Sequence, residues 1–88
     1  MILITNTQHR IIEKSSQIWN EKEYYTIKVV DNEGSYQRYN CTKLVYDNVE
    51  EGKAYYLFLN HKTYFDKDNN KVTQKITVTE AYSYKNNN

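Results

Sequence analysis

Apolar and polar side chains alternate over residues 23–30, with Tyr25, Ile27 and Val29 on one parity and Tyr24, Thr26 and Lys28 on the other. A period of two, carried by β-branched and aromatic residues, predicts a strand with one buried face. Asp31-Asn32-Glu33-Gly34 interrupts the pattern, which resumes over residues 35–42. Pairing Asp31 with Ser35 leaves Asn32-Glu33-Gly34 as a hairpin loop, with Gly34 at the left-handed position that such a loop requires. This register sets Ile27 opposite Tyr39 and Tyr25 opposite Cys41 on the inner face. On the outer face it pairs Val30 with Tyr36, Lys28 with Arg38, and Thr26 with Asn40.

The first strand is read over residues 2–14, followed by a loop over 15–22 that holds Trp19. Residues 43–51 lose the alternation, and Thr42 is placed to cap a short helical turn within 42–50. Gly52-Lys53 restarts the chain into a long strand over 53–65. Asp66 to Lys71 forms a polar turn. The last strand covers 72–82, with Ile76 and Val78 inward and Thr77 and Thr79 outward. Three strands, a short crossover and two more strands predict an all-β fold. The expected form is a five-stranded antiparallel OB-like barrel with at most one short helix between strands 3 and 4. Other small barrels, the SH3-like type among them, fit the strand count nearly as well. The expected core is Tyr25, Ile27, Val29, Tyr39, Cys41, Leu57, Leu59, Ile76 and Val78. One domain is expected over residues 1–85, with a frayed tail at 86–88.

Bulk properties narrow the setting. The chain has 88 residues, enough for one small core. A single cysteine, Cys41, permits no internal disulfide, which favours a reducing compartment. No apolar run approaches the roughly 20 residues that span a bilayer. Met1-Ile2-Leu3-Ile4-Thr5 lacks the basic region and long apolar stretch of a signal peptide. The expectation is a cytoplasmic protein with no membrane partner. A net charge of +1 points to no class of partner by itself, but its placement does. Asp31, Glu33, Asp47, Glu50, Glu51, Asp66 and Asp68 fall in expected turns or connections. Lys28, Arg38, Lys43, Lys62 and Lys75 fall on or beside strands, so a neutral total can hide a basic face. Asn, Lys, Tyr and Ile abound as in AT-rich coding sequence, so the positions of the ten tyrosines carry more weight than their number.

Catalytic and metal chemistry find little support. His9, His61 and Cys41 are far apart in sequence and show no metal-ligand spacing. Asp66-Lys67-Asp68-Asn69-Asn70 begins like a calcium loop, but Lys71 stands where the glycine belongs and Thr77 where the glutamate belongs. No nucleophile pairs with a base and no glycine-rich phosphate loop is present, so neither an enzyme nor a cofactor is expected. The outer hairpin face is more informative, carrying Tyr24, Thr26, Lys28, Tyr36, Arg38 and Asn40. Aromatic rings stack on unpaired bases while lysine and arginine follow the phosphates. The candidate nucleic-acid-binding residues are Trp19, Tyr24, Lys28, Tyr36 and Arg38, with Tyr64 or Phe65 at the edge. Outward tyrosines are also ordinary strand formers that cover a neighbour or a dimer partner.

Three stretches carry a family resemblance: Trp19-Asn-Glu-Lys-Glu-Tyr24-Tyr25-Thr-Ile-Lys-Val-Val, Tyr36-Gln-Arg38-Tyr39-Asn-Cys41, and Val49-Glu-Glu-Gly52-Lys53-Ala-Tyr55-Tyr56-Leu. Together they resemble the small OB-fold single-stranded DNA-binding proteins of phages and mobile elements, the filamentous-phage type being nearest in size. The resemblance implies cooperative, sequence-tolerant binding of single-stranded nucleic acid and a dimer or larger assembly. A homodimer is also expected from residues 53–65, which are apolar on both parities. The competing expectation is a small protein-binding module of a phage or mobile element, such as a host-defence inhibitor or an assembly subunit. Its partner would be a host or phage protein.

Overall fold

The computed structural model describes residues 1–83. Tyr84, Lys85 and the expected tail at 86–88 lie outside the described residues. The elements are β1 (Ile2–Ile4), β2 (His9–Trp19), β3 (Lys22–Val30), β4 (Tyr36–Cys41), α1 (Lys43–Asn48), β5 (Ala54–Asp66) and β6 (Lys71–Tyr82). Strands dominate, and one sheet closes in a ring: β2 pairs β3, β3 pairs β4, β4 pairs β6, β6 pairs β5, and β5 returns to β2.

The β3–β4 hairpin has the register that alternation and turn chemistry predict, from Tyr25 opposite Cys41 to Val30 opposite Tyr36. Its loop is held by Asp31, whose backbone N–H donates to the Ser35 carbonyl at 3.0 Å, while Gly34 sits at φ 88°. The helix falls within the expected segment. Thr42 caps it by accepting the Val45 N–H on its side-chain oxygen at 3.3 Å.

Three expectations are corrected. The sheet is mixed rather than purely antiparallel, because β4 and β6 run parallel through Asn40↔Thr77 and Cys41↔Val78. The strand read over 2–14 is two strands, β1 and β2, which line successive stretches of the same edge of β5. The loop read over 15–22 is strand and tight turn. β2 runs to Trp19, and only Asn20 (φ 52°) and Glu21 (φ 61°) link it to β3. Two central residues of positive φ are what a two-residue hairpin needs to match strand twist. Asn-Glu lacks the glycine that would advertise such a turn.

The buried core comprises Ile11, Ile27, Val29, Cys41, Val45, Val49, Tyr55, Leu57 and Val78. Tyr25, Tyr39, Leu59 and Ile76, also expected there, are half-buried. Ile11 and Tyr55 join because the ring closes between β2 and β5, and Val45 and Val49 because α1 plugs the ring. Lys14 secures that plug: its Nζ donates to the Tyr46 and Val49 carbonyls at 2.6 and 3.0 Å and sits 4.7 Å from the Tyr46 ring centroid.

A β-bulge at Ile12 interrupts β2–β3 pairing between Ile11 and Glu13. One extra residue switches the parity of everything after it. Arg10 faces outward before the bulge; Glu13, Ser15, Gln17 and Trp19 do so after it. The distal parts of β2–β3 and β5–β6 extend beyond the ring as two-stranded arms. The molecule therefore measures 56 × 29 × 21 Å, with a radius of gyration of 14.5 Å, against about 12 Å for a compact chain of this length.

The Asn20-Glu21 turn yields a stability prediction. An L-residue in the left-handed region costs roughly 1–2 kcal/mol, part of which glycine loses again to unfolded-chain entropy. Glu21→Gly should raise stability by about 0.5–1 kcal/mol, read as a higher urea midpoint. A lowered midpoint would contradict the turn geometry.

Candidate nucleic-acid interface

Burial of Ile27 and Val29 turns Tyr24, Thr26 and Lys28 to the outside of the ring. The β4 pairing adds Tyr36, Arg38 and Asn40 to the same face. The bulge adds Trp19, which pairs with Lys22 at the tip of the β2–β3 arm. Trp19, Tyr24, Lys28, Tyr36 and Arg38 thus share one surface. Trp19 and Tyr36 are each 62% exposed.

Aromatic and cationic groups interleave here. Lys28 Nζ lies 5.4 Å from the Tyr36 ring centroid and Lys22 Nζ 5.9 Å from that of Tyr24. Lys28 and Arg38 are cross-strand neighbours, so two like charges sit side by side at the centre of the face. Glu13 stands opposite Lys28 on the β2 side but forms no ion pair with it. The ion pairs among the described residues are Lys43–Asp47 and Lys53–Glu50, both away from this face. Two adjacent cations beside one acid, Glu13, leave this part of the face net positive, which favours an anionic ligand. Between them and the tip, Ser15 and Thr26 join their hydroxyls across the strands at 2.5 Å.

Two grooves flank the face. One, of about 710 Å³, opens beside Tyr36 and is lined by Arg10, Ile12 and Tyr56. The other, of about 360 Å³, lies beside Tyr24 and Asn40 and receives Lys75 and Thr77 from β6. The parallel Asn40↔Thr77 contact carries the surface onto the β5–β6 arm, where register puts Lys62, Tyr64, Thr73 and Lys75 on the same side. Phe65 pairs with Val72 on the opposite side of that arm, so the edge of the surface is Tyr64 and not Phe65. Arg10, Lys22, Tyr56 and Lys75 belong to this surroundings although sequence reasoning did not assign them to the site. The parity of Arg10 was hidden by the bulge, and Lys75 reaches the face only through the parallel ring closure.

The other candidate groups are accounted for locally. Cys41 is buried, and desolvation pushes its thiol up to about 11, so it is protonated at neutral pH. Asp66 accepts the Asp68 N–H at 3.0 Å and the Asn69 side-chain amide at 2.8 Å, so its carboxylate closes the hairpin turn. Among the described residues no group of three His, Cys, Asp or Glu side chains could hold a metal ion. No helix there is long and apolar enough to cross a membrane. Comparison with protein-family models and with curated proteins finds no match to this chain.

Proposed function

We propose that this chain is a non-catalytic, sequence-tolerant binding protein for single-stranded DNA or RNA, built as an OB-like barrel and acting in the cytoplasm of a phage or mobile-element host. The observation that carries the reading is the gathering of Trp19, Tyr24 and Tyr36 with Lys28 and Arg38 on one outer face between two grooves. Rings at the surface stack on bases of any identity, while the central cation pair holds the backbone. The barrel assignment is supported by the ring order, taking β1 and β2 as halves of one strand. Three strands then follow in sequence, a helix crosses over, the next strand returns to the first, and the last closes the ring as in a Greek key. In that plan the outer face of the second and third strands receives oligomers, and β3–β4 holds that place here.

A second reading, a protein-binding module, draws on the same exposed Trp19, Tyr36 and Arg38, since tryptophan, tyrosine and arginine also anchor protein contacts. The unpaired cations at the centre of the face favour nucleic acid over it.

We also infer a homodimer. On the β1–β5–β6 face opposite Tyr64, register aligns Met1, His61 and Ile76, then Thr63 and Gln74, then Phe65 and Val72. No side chain in this strip is an acid, lysine or arginine. Met1, Phe65 and Val72 are 77%, 59% and 59% exposed. One end of the strip carries Met1 and Ile76 beside the His61 ring and the Met1 ammonium, and the other carries Phe65 and Val72; a two-fold axis through the Thr63–Gln74 row sets each copy's Phe65 and Val72 on the other's Met1 and Ile76. The strip is about 13 Å long between its outer rows and two to three strands wide, small for a stable interface. The expected dimer is therefore weak, with micromolar dissociation.

Two measurements test these readings. In a Trp19 fluorescence titration with oligo-dT, binding should weaken steeply with salt. Tyr36→Ala should cost roughly 1–3 kcal/mol with the salt slope unchanged, and Arg38→Ala should flatten the slope by about 0.7, one single-strand phosphate. Circular dichroism checks that both variants fold. Absence of binding at low salt would hand the face to the protein-binding reading. Light scattering at high micromolar concentration should show a dimer that Phe65→Lys dissociates; a monomeric parent would refute the strip as an interface.

A further inference from the structure

Resting on the nucleic-acid reading above, we propose that the groove beside Tyr36 reads one base, preferring bases with an exocyclic amino group over thymine and uracil. The groove, of about 710 Å³, adjoins the binding face where Arg10, Val30 and Tyr36 lie side by side across three strands. A strand stacked on Tyr36 therefore passes its mouth. Tyr56 and Ile12 supply further flat or apolar wall.

The polar lining does not suit a second stretch of backbone. Arg10 is its one cation, enough for a single phosphate. Its other polar side chains are the hydroxyls of Thr7, Tyr36 and Tyr56, the amides of Asn6, Gln8 and Asn32, and Asp31, the one acid among them. A carboxylate repels phosphate but accepts hydrogen bonds from a base edge. The hairpin loop holds Asp31 in place: its Oδ1 accepts the Glu33 and Ser35 N–H groups, both at 2.9 Å. These bonds, that from Ser35 foremost, hold the carboxyl below its ordinary range, so it is ionised and acceptor-only at neutral pH. Oδ2 accepts neither of these two bonds, although the Gly34 N–H and His9 also lie close enough to act on the carboxylate.

An acceptor-only group selects donors. Cytosine and adenine present an amino group on the Watson–Crick edge. Uracil and thymine present a carbonyl oxygen there, and their ring N–H is flanked by two such oxygens, which the carboxylate repels. The side-chain amides of Asn6, Gln8 and Asn32, each a donor and an acceptor, can complete the edge.

Oligo-dC and oligo-dU isolate this contrast, since both are pyrimidines without the thymine methyl group. At neutral pH and low salt, oligo-dC should bind roughly tenfold more tightly, the effect of one hydrogen bond to a charged acceptor. Asp31→Asn keeps an oxygen for the loop N–H groups and should bring the ratio to one or below. Glu33→Gln removes a charge from the same loop outside the groove and should leave the ratio as it is. Equal affinities in the parent, or a ratio that survives Asp31→Asn, would overturn the base-reading site and leave the nucleic-acid reading standing. Failure to bind either oligomer would overturn both.

Discussion

Burial of Ile27 and Val29 inside the ring is the interaction on which the rest depends. Both are fully buried, as are Ile11, Leu57 and Val78 from the surrounding strands. Each such side chain contributes roughly 1.5–3 kcal/mol when removed from water, against a total stability of about 5–15 kcal/mol for a domain of this kind. A slip of one residue in β3 would exchange them for Lys28 and Thr26, a loss the fold could not absorb. The same two residues thereby fix the orientation of Tyr24 and Lys28, and through the β4 register that of Tyr36 and Arg38. The core sets the candidate face without touching it.

Closure of the ring and two bulges do the remaining positioning. The bulge at Ile12 lets β2 bury Ile11 at one end and present Trp19 outward at the other. A second irregularity, at Thr79 opposite the Phe58–Leu59 step, keeps both Val78 and Ala81 inward. The parallel contact at Asn40 and Cys41 brings Lys75 and Thr77 beside Tyr24. Tyr residues divide accordingly. Tyr25 and Tyr46, both half-buried, pack with their rings tilted by 45° at 4.9 Å between centroids, and Tyr55 accepts the Glu50 N–H at 2.9 Å. Tyr24, Tyr36 and Tyr64 remain outside.

What the sequence revealed follows the range of its signals. The β3–β4 hairpin was legible to the residue because Gly34 and strict alternation agree on one register. The cap at Thr42 was legible as a local hydrogen bond. The sharing of one face by Tyr24, Lys28, Tyr36 and Arg38 followed from these. Trp19 was assigned to that face while the strand bringing it there was read as a loop, because Asn20-Glu21 is a poor advertisement for a tight turn. The break at residues 5–8, the bulge at Ile12 and the parallel pairing of β4 with β6 leave no periodic trace, since each depends on residues distant in the chain. That is why Arg10 and Lys75 were missed, and why Phe65 was grouped with Tyr64 although neighbouring strand residues point to opposite faces.

The central claim is that strand parity sorts the aromatic residues into a packing set and a base-stacking set. Photocrosslinking to oligo-dT carrying 5-iodouracil, followed by peptide mapping, tests it directly. The account predicts adducts on Trp19, Tyr24 and Tyr36 and none on Tyr25, Tyr39, Tyr46 or Tyr55. Adducts on the inner tyrosines of a folded protein, with the outer set unmodified, would contradict it.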